Sequence, residues 1–543
     1  MTLNCAQLII CLPSPNKSLN SSKKTKTINS QGVINKSSPR NMNQLLFILL
    51  ITLFAPQVLP YSYSGKLTSD SFLIGEPEQV ALSLGSSPES CVVSWVATAV
   101  PNPAVIFYES TSSDSDTGSA YYAEVFVEGG DSSIGYASLF TENRCGTTRL
   151  MSSVYIENCS QLPAGYKVRN LQTTEGSGAD KFPVNDFSDL FCGRIPGTPT
   201  STTSSSIALV ADMSDYMYSP GEYVSSIPAM TEAALNGEID LVIHGGDIAY
   251  DIDDDCGRRG DEFMRTIQPL STTVPYIFGV GDHEGGRKDL SLDCHAQLGY
   301  DYEGFRMRVG EATNAGQMIM AHASGSPTSF YFSFDVGLVH FVVINTNAWI
   351  HACHYWMLPP QMMWLSADLA AVKKSRTPWT VLIAHRAIYC VKNDDSECNT
   401  ESEAMRYGLP ELAYKKNINI GDWNGEVKGQ NNVFGIEEVL EKYGVDIVFG
   451  GHTHHYERSY PARDGESVQK DYVNPEGTVF VVGGISGVGE DAFEKEYADF
   501  TAWRDETYRE SWGHLNCNST HAVWTQRLAD SGGVLDQFTI SKI

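Results

Sequence analysis

The chain has 543 residues, 42% of them apolar, which is enough for a large core and two or three domains and excludes a disordered chain. Its 65 acidic and 38 basic residues leave a net charge of −27. That surface repels phosphate backbones and excludes nucleic acid as an expected partner, and an anionic substrate would need a local positive charge, such as a metal, to draw it in.

In chain order, the first distinctive segment starts at Met42. "MNQLLFILLITLFAPQVLPYSYSG" holds an apolar stretch from Leu45 to Ala55. It is too short to cross a bilayer but suits the hydrophobic region of a signal peptide. A short membrane anchor is the alternative; no later segment is long and apolar enough to span. Residues 1–41 are polar and rich in Lys, Ser and Asn. They are either a long basic lead-in or an extension ahead of a true start at Met42, and we favour the second. Residues 1–64 are therefore read as leader and signal peptide. The mature chain is expected to be secreted, either extracellular or lysosomal-vacuolar. Cysteine usage agrees. Beyond Cys5 and Cys11 in the leader, ten cysteines remain, an even number that reads as disulfides in this setting. Pairing does not follow from spacing, although Cys390 and Cys398 are near enough to close a small loop. No Cys-x-x-Cys is present to support a thiolate zinc site. Asn158 and Asn518 open glycosylation sequons in the mature part.

Residues 76–195 contain short alternating runs, "QVALSLG", "SCVVSWVATA", "AVIFYEST" and "YYAEVFVEG", separated by Gly, Ser, Pro and Asp. This pattern predicts an all-β sandwich. A Pro/Ser/Thr-rich stretch follows, and a linker is placed at 196–206. From 207 to 543 the texture becomes α/β. "SIALVAD", "DLVIHGGD", "VPYIFGVGDHE", "TVLIAHR" and "DIVFGGHTH" are strand-like apolar runs, with "QMMWLSADLAAVKK" and "GIEEVLEKYG" as helices between some of them.

The ends of those five runs carry the chemistry. They close in Asp212, in Asp247, in Asp282 with His283, in His385, and in His452 with His454; Tyr250 follows Asp247. In α/β sheets the C-terminal strand ends form the ligand crevice. One such ending is ordinary surface decoration, but five in metal-ligand residue types are not. Three carboxylates, three imidazoles and a phenol exceed what one tetrahedral zinc needs and suit two metals sharing a bridging carboxylate. The phenol favours a hard, highly charged ion, and the lack of thiolates argues against soft ones. His452 and His454, two residues apart at a strand end, can share one side of an extended segment. The acidic run "DIDDD" at 251–255 lacks EF-hand spacing and reads as a solvated face, not a calcium site.

Together the blocks resemble the purple acid phosphatases, within the calcineurin-like metallophosphoesterases. The family pattern is D-x-G, G-D-x-x-Y, G-N-H-D/E, V-x-x-H and G-H-x-H. Here it reads "DMS" (212–214), "GDIAY" (246–250), "GDHE" (281–284), "LIAH" (382–385) and "GHTH" (451–454), in that order. "PEQVALSLG…VVSWVAT" resembles the family's fibronectin-like N-terminal domain, and "WGHLNCNSTHAVW…LDQF" its C-terminal tail. The resemblance implies an α/β metallophosphoesterase sandwich, its sheets flanked by helices. It assigns Asp212, Tyr250 and His454 to Fe3+, and Asp282, His385 and His452 to Zn2+, Mn2+ or Fe2+. Asp247 would bridge, and His283 would act on the phosphate. The implied reaction is hydrolysis of small phosphate monoesters in acid by a hydroxide held at the dinuclear metal centre. A phosphodiesterase or pyrophosphatase on the same site is one alternative. A secreted binding protein with a weakened site is another. Three departures stand out: Ser214 replaces glycine, Asp282 replaces asparagine, and "CVKNDDSECN" lacks the substrate-contacting histidines of some members. His351 and His354 are candidates to replace them, although loop histidines are more often structural. His455 and His340 read as surface and strand residues, respectively.

Overall fold

The computed structural model describes residues 72–87, 89–101, 121–127, 132–141, 148–160, 162–173, 181–183, 186–196, 205–214, 224–285, 302–310, 316–391, 397–429, 431–488, 498–507 and 509–543. The leader, the run "AVIFYEST" and most of the linker lie outside the described residues.

Strands Glu78–Leu84, Cys91–Pro101 and Tyr121–Val127 form where three of the alternating runs predict them. Among the described residues they belong to an eight-stranded sheet whose strand pairing is continuous. The sheet folds over on itself. Val80, Val93 and Trp95 share a core with Val125, Val154 and Val168, and the Trp95 indole N–H donates across it to Asn170 Oδ1 at 3.2 Å. Left unpaired, that buried donor would cost about 1–3 kcal/mol. A Cys91–Cys159 disulfide closes the same region.

The α/β part starts with the strand Ser205–Val210, slightly ahead of the expected boundary. Among the described residues two sheets form its centre. One has six strands, in the order Tyr276–Phe278, Leu241–His244, Ser205–Val210, Ser511–Cys517, His521–Leu528, Val534–Ser541. The first three are parallel and the C-terminal three extend the sheet antiparallel. The other has seven strands, with Val339–Ile344, Trp379–Arg386, Ile447–Gly451 and Val479–Gly483 as its parallel centre. Side chains alternate across a strand. Ile207 and Leu209 therefore enter the core between the sheets with Phe341, Ile383 and Phe449. Ala208 and Val210 turn outward to pack with Met230 and Phe263 of covering helices. The helices Leu358–Ala371 and Glu437–Tyr443 form where the sequence predicts them. Among the described residues no helix is long and apolar enough to cross a membrane.

Two single-residue expectations change. The even cysteine count suggested complete pairing, and Cys390–Cys398 does close its small loop, with Cys192, Cys256 and Cys353 also disulfide-bonded. Cys517, however, is a free thiol buried in the core between the sheets, where it acts as a small apolar residue. His455 is not a surface residue. It is fully buried, with Nε2 at 3.2 Å from Glu457 Oε2, because the chain turns there into the strand Tyr456–Ser459.

His340 lies on a strand as expected, clamped between Asp335 (2.7 Å) and Asp368 (2.9 Å). Burial lowers its pKa, but the two carboxylates outweigh burial and raise it to about 9. A raised pKa means that the ion pairing stabilises the fold fully below the ordinary value of ~6.5 and is lost as pH rises through the folded value. His340→Gln is expected to cost up to about 3 kcal/mol at pH 6 and clearly less at pH 10, read from urea unfolding at both. Equal losses at the two pH values would exclude this role.

Candidate metal centre

The parallel strands bring the residues at their C-terminal ends together from both sheets. Donor atoms of Asp247, Asp282, His385 and His452 all lie within 4.8 Å of one another. His385 Nε2 is 3.0 Å from Asp282 Oδ1 and 3.2 Å from Asp247 Oδ1, and His452 Nδ1 is 2.9 Å from Asp282 Oδ1. A second group adjoins it. The Tyr250 hydroxyl donates to Asp212 Oδ1 at 3.1 Å and lies 2.6 Å from His454 Nε2. His454 Nε2 is 3.5 Å from Asp212 Oδ1. His452 and His454 thus approach two different sets of partners. The sets are joined where the His452 N–H donates to Asp212 Oδ2 at 2.8 Å.

Tight backbone turns place these groups. Asp212, Asp247, Tyr250 and His452 all have positive φ, between 50° and 69°. Each such L-residue costs roughly 1–2 kcal/mol, so the surroundings must impose the conformation. The loops touch so closely that glycine is required: a Cβ on Gly281 would sit 2.2 Å from Asp247 Oδ1. Glu284, fully buried, fastens two of the loops by accepting the N–H groups of Asp247 (2.9 Å), Ile248 (2.7 Å) and Gly281 (2.7 Å). Sequence reasoning gave Glu284 no role; its only signal was its place as the last letter of "GDHE".

Electrostatics bind the site together. Burial and Asp282 push the Asp247 carboxyl up, but His385 and His283 outweigh them and hold it at about 2. Burial also opposes ionisation of Asp282, yet His452, Arg386 and His385 keep its carboxyl well below the usual range. Burial disfavours the charged form of His385, but Asp247 raises its imidazole well above the usual range. Burial, and then Asp212, push the Tyr250 phenol well above 10. The site is a set of anions paired with protons that a cation can replace. Its oxygen and nitrogen donors, without thiolate, fit hard or borderline cations.

His283 lies beside these groups. Its N–H donates to Asp247 Oδ1 at 3.0 Å, and its ring packs on Tyr250 with centroids 4.5 Å apart. Nδ1 is 2.9 Å from Asp251, which lifts the imidazole to about 9 against the opposing effect of burial. Asp251 opens the run read as a solvated face and its side chain is indeed 46% exposed, so it reaches His283 from the solvent side; within that run it is Asp253 that is buried. Arg386 was also missed, although it directly follows His385. Its guanidinium lies 3.6 Å from Asp282 Oδ2, 2.6 Å from Glu401 Oε2 and 2.7 Å from His452 Nε2. The segment of His351 and His354 reaches the same side, where Asn347 Nδ2 donates to Gly281 O at 2.7 Å. The two histidines then differ. His354 is buried against the Tyr302 ring. His351 is pushed down to about 4 by burial and by His354 and Arg386. Ser214 fits inside, buried, with its N–H directed to Gly487 O at 3.4 Å.

Residues 205–456 match the calcineurin-like phosphoesterase family model. The chain is 25% identical over 491 residues to acid phosphatase type 7 of Mus musculus, covering 89% of this chain and 94% of that protein. It is 28% identical over 273 residues to acid phosphatase type 7 of Homo sapiens, spanning 52% of that protein. It is 25% identical over 313 residues to probable inactive purple acid phosphatase 27 of Arabidopsis thaliana, spanning 43% of it. A solved structure of a purple acid phosphatase from yellow lupin (Lupinus luteus) seeds shares the fold, with a TM-score of 0.59 at 18% identity, over 86% of this chain and 75% of that one.

Proposed function

We propose that this chain, whose residues 205–456 form a calcineurin-like phosphoesterase domain, is a secreted acid phosphatase hydrolysing small phosphate monoesters at a dinuclear metal centre. The observation that carries the reading is the pair of adjoining donor groups. Asp212, Tyr250 and His454 would hold the first cation, Fe3+. Asp282, His385 and His452 would hold the second, Zn2+, Mn2+ or Fe2+, with Asp247 shared. When bound, two such ions supply Lewis acidity toward phosphoryl oxygens and a nucleophile active at low pH. The chain's own residues do the rest. His283, kept protonated in acid by Asp251, offers an N–H to a phosphate or leaving-group oxygen. Arg386, anchored by Glu401, adds fixed positive charge beside Asp282. A signal-peptide-like leader and the disulfides support secretion, and the antiparallel N-terminal sheet supports a fibronectin-like domain.

The test is metal content together with turnover of p-nitrophenyl phosphate, bis(p-nitrophenyl) phosphate and ATP near pH 5. Two metals per chain and preference for the monoester are expected. Metals without turnover would instead indicate a binding protein. Preference for the diester or for ATP would move the substrate class.

Asp282 yields a sharper prediction. It adds a negative charge where the family pattern has a neutral amide. Arg386 does not cancel it, because the guanidinium is shared with Glu401. Asp282→Asn should therefore tighten inhibition by inorganic phosphate by roughly 3- to 10-fold and move the acid limb of the pH–rate profile downward, since nearby negative charge favours protonated forms. Unchanged inhibition and profile, with both metals retained, would mean that the substitution is electrostatically silent.

A further inference from the structure

We propose that the N-terminal β region is a positioning element of the metal centre: through Arg149 it clamps the strained loop that carries Tyr250 and Asp251. This rests on the reading above only for the roles of those two residues.

Arg149 belongs to the strand Thr148–Ile156, far from the metal ligands in sequence, and is 1% exposed. Its Nε and NH2 groups donate to Asp261 Oδ2 at 2.9 and 2.7 Å, and NH2 also donates to Cys256 O at 2.8 Å. From the other side, Arg308 donates to Asp261 Oδ1 and to Gly257 O, both at 2.7 Å. Two guanidinium groups therefore hold the consecutive carbonyls that end the loop, and one carboxylate holds both guanidinium groups. Asp253, inside the loop, supplies further negative charge to Arg308. Planar forks suit such paired acceptors, which a lysine ammonium could not serve together.

The loop needs a clamp. Ala249, Tyr250, Asp251, Asp255 and Cys256 all have φ between 50° and 77°. Such residues persist only where the surroundings over-determine them. One end is fixed by Tyr250 at Asp212 and His454, and by Asp251 at His283. The other end is fixed by Arg149 and Arg308. The β region also grips the helix Arg258–Ser271 that follows. Gln268 Oε1 accepts the Val80 N–H at 2.9 Å, Ser271 Oγ donates to Val80 O at 3.0 Å, and Arg265 pairs with Glu78 at 2.8 Å. Arg149 thus stands on a rigid base.

The experiment compares Arg149→Met, Arg149→Lys and Arg265→Met in the full chain by amide hydrogen exchange and metal content. For Arg149→Met we expect exchange over 248–258 to rise at least ~10-fold while the inter-sheet core strands keep their protection, with metal lost first from the Tyr250 half. We also expect kcat to fall ~10-fold with KM within ~2-fold, as for a misplaced group and not a lost contact. Arg149→Lys should show the same local change at smaller size, and it carries the test if Arg149→Met does not fold. Arg265→Met, at the same interface but away from the loop, should leave the loop unchanged. Wild-type exchange over 248–258 in both Arg149 variants would overturn the proposal, as would a uniform rise across the chain. Exchange and metal content need no turnover, so the test stands even if the phosphatase reading fails.

Discussion

Asp247→Asn is expected to lower monoester turnover on the order of 10³-fold or more and to leave less than one metal per chain. The substitution keeps shape and volume, so the fold should survive with an unchanged far-ultraviolet circular dichroism spectrum. It removes the carboxylate that lies 3.2 Å from His385 Nε2 and accepts the His283 N–H at 3.0 Å. An amide cannot serve as a negatively charged bridge. Its NH2 group would also face the His283 N–H or the His385 ring if turned the wrong way. The measurement is kcat/KM with p-nitrophenyl phosphate alongside elemental analysis. Activity within about tenfold of wild type, with both metals present, would remove Asp247 from the shared position.

Tyr250→Phe should abolish visible absorption by the purified protein and deplete its first metal. Burial and Asp212 make ionisation of this phenol unfavourable without a cation. A trivalent ion would reverse that balance, and phenolate bound to Fe3+ gives colour by charge transfer. The phenyl ring can still pack against His283 and His454, with which Tyr250 now has centroids 4.5 and 5.7 Å apart, so loss of colour would not reflect unfolding. A colourless, fully active wild-type protein with two zinc ions would contradict the iron assignment. It would leave the hydrolase reading in place.

The fold class was largely legible in the sequence. Continuous apolar runs ending in Asp or His announce buried parallel strands, and those strands form. Asp212, Asp247, Tyr250, Asp282, His385, His452 and His454 do come together, in two groups, with His283 beside them. Their roles as ligands follow from resemblance and chemistry and await the tests above. The supporting residues were not legible. Nothing marked Asp251, among several acids, as the partner of His283, Glu284 and Arg386 had no periodicity to mark them, and His455 sits in a segment whose direction turns.

The boundary between the two kinds of knowledge is physical. Strand formation, side alternation and the chemistry of a residue at a strand end are local properties, set by neighbours a few positions away. The sequence by itself therefore determined the α/β character, the site-bearing ends and the hard-donor composition of the centre. The partners were decided only in three dimensions. Which sheet a strand joins, whether Cys517 finds another thiol, and that Arg149 reaches Asp261 across 112 positions depend on contacts between segments with no local signal for one another. Burial makes those contacts specific, because inside the protein an unpaired guanidinium or carboxylate is too costly to leave without its partner.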